Sequence, residues 1–163
     1  MSLDFFKREC QENAIMDSEF GLCDNQEGSK AYPDISDKSK WIATVINKNN
    51  LPVVFTAIDK CVLLDHEYPN RGRCDCMLTT DIHLYLVELK DSRSDWIANA
   101  KLQLESTIDF LNEYHDISKF KKRKVFACNK RKDKFVVIDN ETNKQFYKRT
   151  SFRLDIQGEI VVI

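Results

Sequence analysis

Cys74-Asp75-Cys76-Met77-Leu78-Thr79-Thr80-Asp81-Ile82-His83-Leu84-Tyr85-Leu86-Val87-Glu88-Leu89-Lys90 is the stretch that decides the fold. Two apolar, β-forming halves flank the polar pair Thr80-Asp81, which predicts a hairpin between Arg73–Thr79 and Ile82–Lys90. Alternation along the second half puts Leu84, Leu86, Glu88 and Lys90 on one face and His83, Tyr85, Val87 and Leu89 on the other. With Thr80-Asp81 as a two-residue turn, Thr79 pairs with Ile82 and Asp75 falls opposite Leu86. Asp75 is then diagonal to Glu88, at roughly 5–8 Å between β-carbons.

Outward from this hairpin, a helix is expected next, with Ser92 or Ser94 as N-cap and Asp95 in its first turn. Its stripe of Trp96, Ile97, Ala100, Leu104, Ile108 and Leu111 has helical spacing, and the helix should end near Tyr114. Upstream, Leu51–Leu64 reads as one or two strands. Earlier still, Leu3, Phe6 and Cys10, then Ile42, Val45 and Ile46, lie three and four apart, so the first 50 residues are expected to be helical, with a loop from Gly28 to Pro33. Downstream, Lys124–Cys128, Phe135–Asp139 and Phe152–Ile163 read as strands. Helix, strands, helix, strands argues for an α/β sandwich with a mixed central sheet. One domain over 1–163 is expected: a helical N-terminal segment over 1–50, a core over 51–138 and C-terminal strands over 139–163.

The 163 residues are 42% hydrophobic and 31% charged, with four Gly and three Pro, which excludes disordered and repetitive classes. No long apolar run and no basic-then-apolar leader opens the chain, so a cytoplasmic protein off the membrane is expected. The six cysteines are scattered through apolar segments, as free thiols in a reducing compartment are. Cys74-x-Cys76 is a weak zinc motif, lacking a second close pair. Charge is uneven: residues 1–40 hold five bases against nine acids, whereas 119–153 hold thirteen bases against three acids. The basic region predicts a polyanionic partner, because Lys and Arg bound to phosphates release counterions. A solvated basic face explains the same charges without a ligand.

A carboxylate and an ammonium on an apolar strand covered by a helix would be expensive unless paired, since desolvating ions costs several kcal/mol. A divalent cation gripped by Asp75 and Glu88 offsets that cost, and carboxylate oxygens suit Mg²⁺ or Mn²⁺. Lys90 would then orient water or stabilise charge on a phosphate. Gln103, at the edge of the helix stripe, needs a hydrogen-bond partner such as a metal-bound water. His66-Glu67 reads as a surface loop pair, His83 faces away from Glu88, and Trp41 and Trp96 read as core anchors. Cys/His nucleophilic chemistry is weakened because alternation turns Cys74 and Cys76 from Asp75. No Gly-rich phosphate loop is present.

Asp75, the Glu88-Leu89-Lys90 run at a strand end, and a helix bearing Gln103-Leu104 together resemble the PD-(D/E)xK superfamily of restriction-endonuclease-like nucleases, especially small prokaryotic members reading "VELK". The resemblance covers about residues 60–130, and Cys74 stands where the family signature has Pro. It implies an αβββαβ core with extra C-terminal strands, metal binding by Asp75, Glu88 and the backbone carbonyl of Leu89, and a catalytic Lys90. It also implies a carboxylate from a first helix, among Glu9, Glu12 and Glu19, with Glu12 preferred. Lys119, Lys121, Lys122, Arg123, Lys130, Arg131 and Lys132 would line the nucleic-acid groove. The expected function is Mg²⁺- or Mn²⁺-dependent hydrolysis of DNA or RNA phosphodiesters, with a homodimer as a reasonable assembly. Its rivals are a non-catalytic regulatory or immunity subunit of a defence or mobile-element system, and a plain nucleic-acid binder.

Overall fold

In the computed structural model, which describes residues 3–93, 95–131 and 140–163, the chain is mixed α/β, with two mixed sheets and two helices. Strands β1 (Glu19–Cys23), β2 (Tyr32–Asp34), β3 (Ala43–Ile46) and β9 (Glu159–Val161) form a four-stranded sheet in the order β2-β1-β3-β9. Strands β4 (Val54–Ala57), β5 (Cys76–Thr79), β6 (His83–Lys90), β7 (Lys122–Asn129) and β8 (Arg153–Ile156) form a five-stranded sheet in sequence order. Helices α1 (Ile97–Tyr114) and α2 (Asn140–Thr150) complete the elements.

Alternation in β6 builds two cores. Leu84 and Leu86 face a cluster with Ala100, Leu104, Ile108 and Leu111 of α1 and Phe146 of α2. Tyr85, Val87 and Leu89 face a second cluster with Phe20 and Leu22 of β1, Val45 of β3 and Ile160 of β9. The molecule is thus layered: helices, the five-stranded sheet, then the four-stranded sheet. Each layer buries the apolar face that its neighbour presents, which is the main stabilising term.

The N-terminal helices expected from spacing are absent among the described residues. Residues 3–50 make three strands and two one-turn 3₁₀ segments, Arg8–Cys10 and Lys38–Lys40. Ala43 and Val45 point inward while Thr44 and Ile46 are half-buried, so the real period is two. Gly21 in β1 is required by close approach, since a β-carbon there would lie 2.0 Å from Cγ of Trp41. Trp41, half-buried just before β3, packs against β1 rather than in either core cluster, and its Nε1 donates to Asp34 at 2.8 Å.

The expected C-terminal strands also change. Helix α2 occupies Asn140–Thr150, with Phe146 its buried residue, and Phe152–Ile163 divides into β8 and β9 on different sheets. The parallel pairing of β9 with β3 ties the end of the chain to its beginning. The strand expected at Phe135–Asp139 lies outside the described residues. Helix α1 starts at Ile97 with Trp96 in the capping position and no side-chain cap, later than Ser92 would set it and with Asp95 outside the first turn; Ser94 lies outside the described residues.

Cys10 and Cys61 are joined as a disulfide, which corrects the reading of six free thiols; Cys23, Cys74, Cys76 and Cys128 are free and buried. No helix among the described residues is long and apolar enough to cross a membrane.

Candidate active site

Strand β6 is where the site begins, because it is buried along its length until Lys90. Its hairpin with β5 closes through Asp81-Ile82, with Thr80 N–H donating to His83 carbonyl at 3.1 Å. The register is Thr79↔Leu84 and Cys76↔Val87, two residues away from that expected with Thr80-Asp81 as the turn. Beyond Cys76 the ladder bulges: Asp75 N–H donates to the Val87 carbonyl at 3.2 Å, so Asp75 and Cys76 both stand against Val87. Asp75 therefore reaches the Glu88 carboxyl and the Leu89 N–H from a break in alternation, not by strand parity. The strand itself begins at Cys76, and alternation breaks just before it: Cys74 joins the helix-side core and Cys76 the inter-sheet core. Cys74 is thus on the carboxylates' side, but burial raises its thiol well above the usual range.

Glu88 is 2% exposed. Lys90 Nζ lies 2.9 Å from its Oε2, the Asp75 carboxyl is in hydrogen-bond contact with Glu88, and no donor among the described residues reaches its buried Oε1. Loss of water pushes the Glu88 carboxyl up to about 7, against the opposing pull of Lys90. Asp75 accepts from the Leu89 N–H at 2.7 Å through Oδ2. Its carboxyl is also raised well above the usual range, first by burial and then by the facing Glu88 charge. Two carboxyls in such a setting share a proton or bind a cation, because both cannot hold charge cheaply out of water.

Lys90 opens onto a cleft of about 700 Å³, lined also by Asn70, Arg71, Gly72, Asn99 and Gln103. Gln103 comes from α1, and its Oε1 is a second buried oxygen without a partner among the described residues. Thr107, one turn on, fixes that stretch of the helix to the sheet: its Oγ1 accepts from Cys74 N–H at 2.7 Å and donates to the Gln103 carbonyl at 2.8 Å. Arg71 stacks on Phe110, 3.5 Å from the ring centroid to Cζ, and pairs with Glu113.

No protein-family model, no curated protein and no solved structure matches this chain.

The site's own chemistry therefore carries its interpretation. Among the described residues no three His, Cys, Asp or Glu side chains gather into a metal-holding group. Asp75 and Glu88 supply two carboxylates, one with an unsatisfied buried oxygen, and that set fits Mg²⁺, which commonly takes one or two carboxylates and completes its shell with water and phosphate. The Leu89 carbonyl lies at the same place but accepts from Gln26 Nε2 at 3.4 Å.

Glu12 is not brought to this centre. It is exposed, on a segment bridged to β4, where its N–H donates to Phe55 carbonyl; Asp75 lies further along, opposite Ile58. Glu9 is exposed as well, and Glu19 pairs with Lys38 at 2.8 Å. The carboxylates that do approach are Asp24, just past β1, whose charge raises the Asp75 carboxyl, and Asp59, just past β4, whose charge raises the Glu88 carboxyl and whose own carboxyl is raised by burial. The Asp59 N–H donates to Cys74 carbonyl at 3.2 Å, continuing the β4–β5 ladder. Asn129 is a third residue missed by pattern reading: buried opposite Lys90, it donates to the Ser92 carbonyl at 2.8 Å and accepts from Ser92 and Arg131 N–H groups. It thereby fixes the loop that leaves Lys90. All three were illegible because an isolated Asp or Asn after a strand carries no periodic signal.

The basic residues divide. Lys130 and Arg131 lie beside the site, the first donating its N–H to the Lys90 carbonyl and the second pairing with Asp91 at 2.7 Å. Lys122 pairs with His83 at the far end of β6, and Lys124 with Tyr85 on the face away from Glu88. Five residues separate Lys122 from Ala127, the partner of Glu88, or about 16 Å of strand. The expected single groove built from Lys119, Lys121, Lys122 and Arg123 together with Lys130 and Arg131 is thus not one groove; Lys132 lies outside the described residues. His66 is exposed, and His83 is buried between Thr80 Oγ1 at 2.6 Å and Ile163 carbonyl at 2.7 Å, remote from the carboxylates.

Proposed function

We propose that the chain is a Mg²⁺- or Mn²⁺-dependent nuclease that hydrolyses DNA or RNA phosphodiesters at the Asp75–Glu88–Lys90 centre. The observation that carries this reading is the facing pair of raised carboxyls, one with an orphaned buried oxygen, beside an ammonium that opens onto a cleft. The order β4-β5-β6-α1-β7 supports the βββαβ portion of a restriction-endonuclease-like core, with the four-stranded sheet standing where a first helix was expected.

Asp75 and Glu88 would hold the cation, with water and substrate oxygens completing its shell. Bound there, it supplies Lewis acidity and a water of lowered pKa. Lys90 stabilises negative charge that develops on the phosphate, an effect strengthened where water is scarce. Gln103, on the cleft wall, would orient water there through its amide. Asn129 holds the Lys90 loop in place. The proposed setting is the cytoplasm, and a homodimer or a defence-system partner belongs to the same proposal.

The Glu88–Lys90 ion pair favours a second reading, in which the cluster is a self-satisfied structural feature of a non-catalytic interaction module. Incubating labelled single- and double-stranded DNA and RNA with Mg²⁺, Mn²⁺ or EDTA separates the two. Metal-dependent cutting, abolished by Glu88→Gln and by Lys90→Ala, is expected. No cutting on any substrate, with no heat of Mn²⁺ binding, refutes the nuclease and leaves the interaction module.

A further inference from the structure

The basic residues that fold away from the carboxylates build a surface of their own. A hollow of about 680 Å³ lies where the starts of β6 and β7 meet α2, β8 and β9. Lys121, Lys122, Arg123, Lys124 and Arg153 line it, and Asp155 is its one lining carboxylate. That carboxylate is already taken by Lys124 at 2.9 Å. Lys122 Nζ donates to the Ile163 oxygen and Lys121 Nζ to the Ser118 carbonyl at 3.0 Å, which leaves Arg123 and Arg153 without an ion-pair partner among the described residues. A second hollow, of about 400 Å³, adds Lys144 and shares Tyr147 and Arg153 with the first, so the two meet at those side chains. Tyr147, 50% exposed, lines both hollows and presents its ring to them.

We propose that this joined hollow binds the phosphodiester backbone of a single-stranded nucleic acid, at a site separate from the Asp75–Glu88 centre. Basic side chains gathered in a concavity concentrate phosphates by releasing counterions, and a half-exposed ring supplies a stacking platform that any nucleobase can use. A duplex keeps its bases stacked inside and gives Tyr147 nothing to stack on. Lys122, Lys124 and Arg153 lie on the face of the sheet opposite Glu88, whereas Arg123 and α2 lie on its own face, so the hollow wraps the sheet about 16 Å along β7 from Ala127, the partner of Glu88; the site anchors one end of a long substrate while another stretch reaches the cleft. The proposal extends the nuclease reading but does not require it.

The test is fluorescence anisotropy of labelled 15-mers of deoxythymidine and of uridine, a 15-base-pair duplex and a sulfated oligosaccharide, with the full chain in EDTA so that cleavage plays no role. Wild type should bind both single strands more tightly than the duplex or the oligosaccharide, and the two single strands distinguish DNA from RNA as the source. Arg123→Glu with Arg153→Glu should weaken binding by tenfold or more and reduce the slope of log K against log salt by about 1.4, at roughly 0.7 for each phosphate no longer neutralised. Tyr147→Ala should weaken single-strand binding roughly tenfold and leave that slope unchanged. Arg123→Gln with Arg153→Gln, checked by thermal midpoint, repeats the first arm without charge reversal. Equal binding of the sulfated oligosaccharide, insensitivity to Tyr147→Ala, or loss of binding only on Lys130→Glu with Arg131→Glu would overturn the proposal. Glu88→Gln should bind as wild type does, so failure here leaves hydrolysis standing, and failure of hydrolysis leaves this site standing.

Discussion

Replacing Glu88 by Gln should make the metal-free protein more stable at pH 8 and nearly unchanged at pH 4. In the folded chain the Glu88 carboxyl is raised from 4.5 to about 7, chiefly by burial. The folded state therefore holds this proton more tightly than the unfolded state does. Its contribution is fully present below about pH 4.5 and is lost as pH rises through 7. A difference of about 2.5 pH units corresponds to about 3 kcal/mol at pH 8, at 1.36 kcal/mol per unit. Little solvent screening reduces it, since Glu88 is 2% exposed. Gln keeps the shape without the charge, so the variant's stability should be flatter between pH 5 and 8. Urea midpoints measured in EDTA at unit pH steps read this directly. Mg²⁺ at a hundred times its Kd should return about 2.7 kcal/mol to wild type at pH 8 and little to the variant. Parallel pH profiles for the two proteins would refute the account of Glu88 as a desolvated, cation-ready carboxylate.

Reducing the Cys10–Cys61 disulfide, which spans 51 residues, should lower stability by about 4 kcal/mol on the chain-entropy account; an unchanged denaturation midpoint in dithiothreitol would contradict it. Gly21→Ala drives a methyl into the Trp41 ring and should cost about 1–3 kcal/mol, with a shift in tryptophan emission as the ring moves. Asn129→Ala removes two side-chain bonds to the Ser92 backbone and should cost about 1 kcal/mol by urea unfolding while slowing cleavage more than Lys130→Ala does. Equal rates for the two variants would remove Asn129 from the positioning of Lys90.

The hairpin, the helix over it and the strand after that helix are legible in the sequence because their signals are local. Alternation over His83–Lys90 and the stripe from Ala100 to Leu111 need only near neighbours to be read. The pairing of Glu88 with Lys90 on one face follows from the same parity. The contact of Asp75 with Glu88 does not follow from parity: it comes from a bulge before β5 that no alternation contains. Tertiary structure decided the rest. Ile42, Val45 and Ile46 have helical spacing, yet β3 becomes a strand because β1 and β9 offer it ladders on both edges, and β9 lies more than a hundred residues away. Helix α2 buries one phenylalanine, too little apolar surface to show as a period. Whether a basic residue joins the carboxylates or turns from them depends on strand register and face, which no count of charges contains. The orphaned oxygen of Glu88 is the clearest case: its residue is plain in the sequence, but the packing of α1 over β5 and β6 removes the water that would have satisfied it.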